Sequence, residues 1–325
     1  MSHEETLIAM PQQERKSWRS FLPFPLELER CVCAICSSDK SNALMHFDQF
    51  GFPIGTVECE ECGFIYTNPR PTETYMRSFY EKYFWFFFQG RHRVDQRFFR
   101  RMQTREWAEL RFARSAPYLT GAKSVLEIGS GSGLFLDQVR KNFPGVSTAG
   151  IEPDPQMAKY CREELKLDVH TGFFQDYRGE GVFDAIVLFH VIEHLFEFKG
   201  LFEFIRKHLS PGGVVIMEAP NVDGDWKTIY MIQLSHLHIF SSRTIKNLLL
   251  AKGFEVLEVS CLENDLDESN VFIAGKLRNA TVDTSASRDP QESMRIRAKF
   301  QQMPTSRTVR ILRAWVRLAY FALRR

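Results

Sequence analysis

Residues 125–133 read Val-Leu-Glu-Ile-Gly-Ser-Gly-Ser-Gly, an apolar run that carries one acid and ends in three alternating glycines. Such a run predicts a buried strand emptying into a loop whose backbone must let a ligand come close, which glycine without a Cβ permits. The pyrophosphate-binding dinucleotide fingerprint sets its third glycine three positions after the second. Here Gly129, Gly131 and Gly133 alternate and position 134 is Leu, a spacing that disfavours NAD.

Working outward, Ala149-Gly150-Ile151-Glu152-Pro153-Asp154 predicts a second strand over 148–151 with Glu152 at its end. A carboxylate there can accept hydrogen bonds from ribose hydroxyls. Glu152 follows Gly129 by 23 residues, one strand-helix-strand unit, and Leu134 to Val139 between them has helical apolar spacing. Further on, Val182 to Leu195 reads Val-Phe-Asp-Ala-Ile-Val-Leu-Phe-His-Val-Ile-Glu-His-Leu. Its near-continuous hydrophobicity marks a strand covered on both faces of a parallel sheet, with His-x-x-Glu-His where the strand ends, the side on which open α/β sheets bind ligands. A zinc reading of that pentapeptide is disfavoured, since such ligands belong on a long helix.

Glu127 followed by the alternating glycines closely resembles motif I of the class I S-adenosylmethionine-dependent methyltransferases, and His190-Val191-Ile192-Glu193-His194-Leu195 resembles their motif IV in its small-molecule form. The resemblance covers about residues 119–278. It implies S-adenosyl-L-methionine as cofactor, held by Glu127, Gly129, Gly131, Gly133, Glu152 and Phe189, with Asp176 within reach of the adenine amino group. It also implies a doubly wound, seven-stranded Rossmann-like α/β sheet with a final antiparallel strand. The other strands are expected at 168–171, 214–218 after the turn Leu209 to Gly213, 254–261 and 271–277, with a helix ending at Gly253.

Ahead of this domain stand Cys33-Ala34-Ile35-Cys36 and Cys59-Glu60-Glu61-Cys62, separated by 22 residues that leave room for a hairpin through 51–55. Paired Cys-x-x-Cys thiolates close tetrahedrally on zinc, so a structural Zn2+ ribbon on Cys33, Cys36, Cys59 and Cys62 is expected. Cys31 is a spare thiol beside it. The expected organisation is a tail over 1–27, the ribbon over 28–75, an aromatic and Arg-rich helical lid or bridge over 76–118, the methyltransferase domain over 119–278, a linker over 279–294 and a basic amphipathic helix over 295–325.

No apolar stretch of 18 residues exists, and the acidic start Met1 to Glu5 lacks the basic region of a secretory signal. A cytoplasmic protein, peripheral at the inner face of a membrane, is the expectation. Residues 295–325 carry nine Lys or Arg and no acid, leaving 33 basic against 40 acidic residues elsewhere. Arg307, Arg310, Arg313 and Arg317 recur at helical spacing between Ile311, Leu312, Trp315, Leu318 and Phe321, a pattern suited to an anionic bilayer surface or to docking on protein. Residues 79–88 are eight aromatics among ten, followed by arginines up to Arg114, and fit either a lid over an apolar, phosphate-bearing acceptor or plain helical packing. Within them Tyr80 and Tyr83 match positions where related ribbon-bearing enzymes carry tyrosines near the cofactor.

Methyl transfer is an in-line attack whose demand is placement, with a general base where the acceptor is a hydroxyl. His is the usual base near neutrality. The candidates are His190 and His194, and His236 or His238; His236, in a His-x-x-x-Phe-Ser segment resembling one in related enzymes, is the expected base and His190 an expected wall of the cofactor or acceptor pocket. The acceptor implied is an oxygen, with carbon second, of a small molecule such as a sugar or lipid-linked saccharide intermediate. One alternative is an RNA methyltransferase that grips phosphates with ribbon and arginines, against which the acidic body counts. The other is a non-catalytic S-adenosylmethionine-binding regulator, although the cofactor motifs are intact.

Overall fold

The computed structural model describes residues 26–48, 52, 54–82, 104–224, 231–263, 269–278 and 288–302. They fall into two compact units. The first takes 26–79, 231–237 and 288–302; the second takes 80–224 and 238–278.

In the first unit β1 (Leu28–Glu29) pairs antiparallel with β5 (Arg70–Pro71), while β2 (Ser41–Met45), β3 (Thr56–Cys59) and β4 (Ile65–Thr67) form an antiparallel run. Registers such as Asn42 opposite Glu58 and Val57 opposite Tyr66 bring the two cysteine pairs to one end, as the expected hairpin requires. Asp48 ties the β2–β3 connection down, its carboxylate accepting from Phe52 N at 2.8 Å and Leu234 N at 3.1 Å. Helix α1 (Glu73–Lys82) carries the chain into the second unit.

There the order is α2 (Thr104–Leu119), β6 (Ser124–Ile128), α3 (Leu134–Asn142), β7 (Ser147–Glu152), α4 (Pro155–Glu163), β8 (Asp168–Thr171), β9 (Phe183–Phe189), α5 (Lys199–His208), β10 (Leu209–Pro220), β11 (His238–Ile239), α6 (Ser242–Ala251), β12 (Phe254–Glu263) and β13 (Ser269–Leu277). Seven strands share one sheet in the order β12-β13-β10-β9-β6-β7-β8, with β13 antiparallel to both its neighbours and β10 through β8 parallel. This is the expected doubly wound sheet with a late antiparallel strand. β6 lies between β9 and β7, so the glycine loop leaves the sheet at its centre, at the carboxyl ends of the parallel strands.

The local causes are readable. β9 buries every residue except Asp184 because helices cover both faces, and Val125, Leu136, Val139, Ala185, Val187, Ile216 and Ala274 make a fully buried core. Asp154 caps α4, accepting from Gln156 N and Met157 N, with Pro155 at the first helical position. Ser241 and Thr244 form a capping box on α6, whose end is turned by Gly253 at φ 78.

Some details differ from expectation. Leu209 to Gly213 is a bulge inside β10, since Leu209 pairs with Phe183 and Val214 with Ala185, so five residues of β10 span two of β9. α2, within the 76–118 segment, packs in the second unit, and 231–237, inside the 119–278 span, in the first. Helix α7 (Pro290–Gln302) starts inside the stretch expected as linker, because Asp289 caps it, accepting from Gln291 N at 2.9 Å. Tyr83, most of the aromatic and Arg-rich segment, and residues 303–325 lie outside the described residues. Among the described residues no helix is long and apolar enough to cross a membrane.

Candidate cofactor site

The glycine loop is held by the neighbouring strand: Gly129 N and Ser130 N donate to Ile151 O at 2.8 and 3.0 Å. All three glycines are left-handed, at φ 73, 50 and 70. Their surroundings divide their roles. A Cβ on Gly129 would lie 2.5 Å from Val191, and one on Gly133 would lie 2.8 Å from both Cys161 and Leu167. A Cβ on Gly131 would meet nothing within 4 Å, because this residue faces a cavity of about 240 Å³.

Beside the loop, and lining the same cavity, stands Glu152, buried at the end of β7. Its Oε2 accepts from Gly131 N at 2.7 Å and its Oε1 from Asp154 N at 2.8 Å. Burial lifts this carboxyl to about 7 against the opposing pull of those two N–H donors. Glu127 is buried beneath the loop and pushed well above the ordinary carboxyl range by burial, with Arg111 opposing. Its Oε2 has no hydrogen-bond partner among the described residues.

The far wall comes from the end of β9. His190 sits at φ 55, a conformation rare outside glycine, fixed by its N–H donating to Glu218 O at 2.8 Å. Its Nδ1 lies 3.1 Å from Glu193 Oε1 and its Nε2 3.3 Å from Glu218 Oε1. Burial pulls this imidazole down, yet the bonds to the two carboxylates outweigh it and lift it to about 9. Arg111 donates to the same Glu218 oxygen through Nε at 3.1 Å and Nη2 at 2.9 Å. Glu218 is thereby held down at about 2, its burial overcome by Arg111 and His190. An imidazolium with both ring nitrogens engaged lines the cavity but is no proton acceptor at neutral pH.

His194 lines the same cavity, its Nδ1 2.9 Å from the hydroxyl of Tyr80, also a lining residue, with the two rings edge to face. The Nε2 of His194 lies 3.9 Å from Glu193 Oε1.

Two other expected residues, Asp176 and Phe189, do not line the cavity. Asp176 is exposed at the end of a 3₁₀ turn and does not line the cavity; Phe173, Phe174 and Gln175 do. The tight turn sends successive side chains about 120° apart, so the acid faces solvent. Phe189 is a core residue, packed on Phe135 with ring centroids 4.8 Å apart and capped by the Arg111 guanidinium at 5.2 Å. His236 belongs to the first unit, buried, with Nδ1 2.9 Å from Met231 O and Nε2 bonded to Gln233. Arg111, Glu193, Glu218 and Gln175 were not singled out from sequence. The signal available was a lone acid closing each of two otherwise apolar segments, Glu218 on β10 and Glu193 in the turn after β9.

In the first unit the Sγ atoms of Cys33, Cys36, Cys59 and Cys62 all lie within 4.8 Å of one another, and none is in a disulfide. Each pair is folded over itself: Gly63 N donates to Cys59 O and Ser37 N to Cys33 O, with Ser37 and Gly63 left-handed. Hydrogen bonds with Cys33 and Cys62 draw Cys59 down, those with Cys33 and Cys59 drive Cys62 up, and the bond with Cys59 lifts Cys33 to about 12 against the opposing effect of Cys62. Only a cation lets all four ionise together, and four sulfurs in this arrangement fit tetrahedral zinc.

Residues 98–259 match the sequence profile of a methyltransferase-domain family. A curated relative, malonyl-[acyl-carrier protein] O-methyltransferase 2 of Ilyobacter polytropus, is 24% identical over 97 residues, which are 29% of this chain and 38% of the relative's own length. A SAM-dependent methyltransferase of Archaeoglobus fulgidus aligns over 56% of this chain and 100% of its own at 21% identity and a TM-score of 0.46. The O-methyltransferase of a trans-AT polyketide synthase of Brevibacillus brevis, solved with S-adenosyl-L-homocysteine, aligns over 63% and 87% at 14% identity and 0.47. Residues 98–259 of the chain thus carry a methyltransferase domain of the family that this profile describes.

Proposed function

We propose that this protein transfers a methyl group from S-adenosyl-L-methionine to a hydroxyl oxygen of a small molecule, a sugar or lipid-linked saccharide intermediate. The observation that carries the cofactor half is the cradle formed by Gly131 and Glu152: an open backbone facing a buried acid at the carboxyl end of adjacent parallel strands. The acid suits ribose hydroxyls, and the orphaned Glu127 Oε2 supplies a further buried acceptor. When bound, the cofactor supplies an electrophilic methyl on a sulfonium.

The chain's own residues then place the acceptor and take its proton. As the O–CH3 bond forms and the S–CH3 bond breaks, the acceptor hydroxyl loses a proton. In this reading Tyr80 and His194 receive it: the tyrosine oxygen accepts while its own proton passes to His194 Nδ1, 2.9 Å away. His190, already charged, holds the wall in position. The four cysteines hold a structural Zn2+ in this reading.

The acceptor class rests on the likeness to ribbon-bearing sugar methyltransferases and on the oxygen-directed activity of the curated relative. It is tested by supplying methyl-labelled S-adenosylmethionine with nucleotide sugars, free sugars and lipid-linked saccharides, alongside RNA. Label on a saccharide oxygen is expected. Label on RNA alone, or on a carbon or nitrogen atom, overturns the acceptor assignment.

A further inference from the structure

The C-terminal helix α7 grips the second cysteine knuckle. Glu58, next to Cys59 on β3, is fully buried, and its Oε2 accepts from Arg288 Nη2 at 3.0 Å and from Arg297 at 2.7 Å. Its Oε1 accepts from Ser293 Oγ. Ser293 and Arg297 are one helical turn apart and so share a face, with Ile296 and Phe300 buried beside them. A backbone bond completes the grip: Arg288 N donates at 3.0 Å to the carbonyl of Glu61, between Cys59 and Cys62 in the knuckle itself.

The receiving surface is thus the knuckle. The Glu61 carbonyl is aimed by the Cys59-to-Cys62 turn, and Glu58 is held beside it by β3. Small cysteine modules draw their order from the metal, because the ligands are not preassembled without it. A buried carboxylate also cannot stay in place without its guanidinium partners, nor they without it.

We propose that metal loading of the four-cysteine site and docking of residues 288–302 are one coupled equilibrium, with Glu58 as the latch: losing the metal releases the helix. Glu58 touches no sulfur in this scheme and serves only to hold the helix.

The test is amide hydrogen exchange on the full-length chain, with zinc content measured in parallel. Zinc near one per chain is expected, with slow exchange over 290–302. Chelation should speed exchange there by at least roughly tenfold, together with 56–67. Glu58→Gln should still load zinc and keep the slow exchange of 56–67 in the absence of chelator, yet release 290–302 and give up its zinc at a lower chelator concentration than the native chain. The double variant Arg288→Gln with Arg297→Gln gives the same reading from the helix side, with the ribbon sequence intact, should Glu58→Gln fail to fold. A chain without metal, a helix that stays protected after chelation, or a helix that stays protected in the folded variants overturns the latch.

Discussion

His190 Nε2 lies 3.3 Å from Glu218 Oε1, and that oxygen is also the one Arg111 holds through two nitrogens. One acid at the tip of β10 therefore fixes both the helix before the sheet and the strained residue after β9. Glu218→Gln leaves Arg111 and the imidazolium with half their counter-charge in a buried place. A loss of roughly 3–5 kcal/mol is expected for breaking such a pair. Urea unfolding followed by far-ultraviolet circular dichroism reads it; a loss below 1 kcal/mol would mean the network is not formed.

The same network sets a pH window. Glu218, at about 2 in the fold against an ordinary 4.5, contributes stability that is fully present above 4.5 and lost as pH falls through about 2. His190, at about 9 against 6.5, contributes stability that is fully present below 6.5 and lost as pH rises through about 9. Melting temperature should thus decline between pH 6.5 and 9, and His190→Gln should flatten that limb. An unchanged alkaline limb in the variant would place the titration elsewhere.

Gly131 and Gly133 share a left-handed backbone but not their surroundings. Gly133→Val drives a side chain into Cys161 and Leu167 and should cost about 1–3 kcal/mol beyond the backbone strain. Gly131→Arg meets open space and should cost only the conformational penalty of about 1–2 kcal/mol while filling the cavity. Thermal melts should rank the two in that order, with the Gly131 variant still folded. The reverse order would mean that the loop stands differently.

Glu152 is expected to accept hydrogen bonds from a ligand's hydroxyls most strongly when ionised. Since burial sets it near 7, affinity for S-adenosyl-L-homocysteine should strengthen as pH rises through 7 and level off above it. The fold itself favours the protonated acid, so this group's own contribution to stability runs the other way: present below 4.5, lost as pH rises through about 7. Glu152→Gln should weaken binding by roughly 10- to 100-fold and remove the pH step. Titrations at pH 6 and 8 distinguish this from a pH-independent site.

Much of the sheet was legible because β6, β7 and β9 are apolar runs closed by polar residues, and a buried parallel strand leaves that trace directly. The glycines and Glu152 were legible for the same reason: position at a strand's end decides which atoms face the ligand. Asp176 and Phe189 do not line the cavity, because facing is set by turn geometry and by packing across the sheet, neither of which has a short-range signature. The partnership of Arg111 with Glu218 spans 107 residues and needs the folded sheet to exist. The Glu58 contacts with Arg288 and Arg297 span 230 and 239 residues and were hidden in the same way.

The most direct measurement is calorimetric titration of the zinc-loaded, full-length chain with S-adenosyl-L-homocysteine at pH 8, with Gly131→Arg as the control. Saturable binding near one ligand per chain, abolished in a Gly131→Arg protein that still melts cooperatively, is the expected result. No binding to the well-folded native chain, or equal binding by the variant, would contradict a cofactor seated against Gly131 and Glu152.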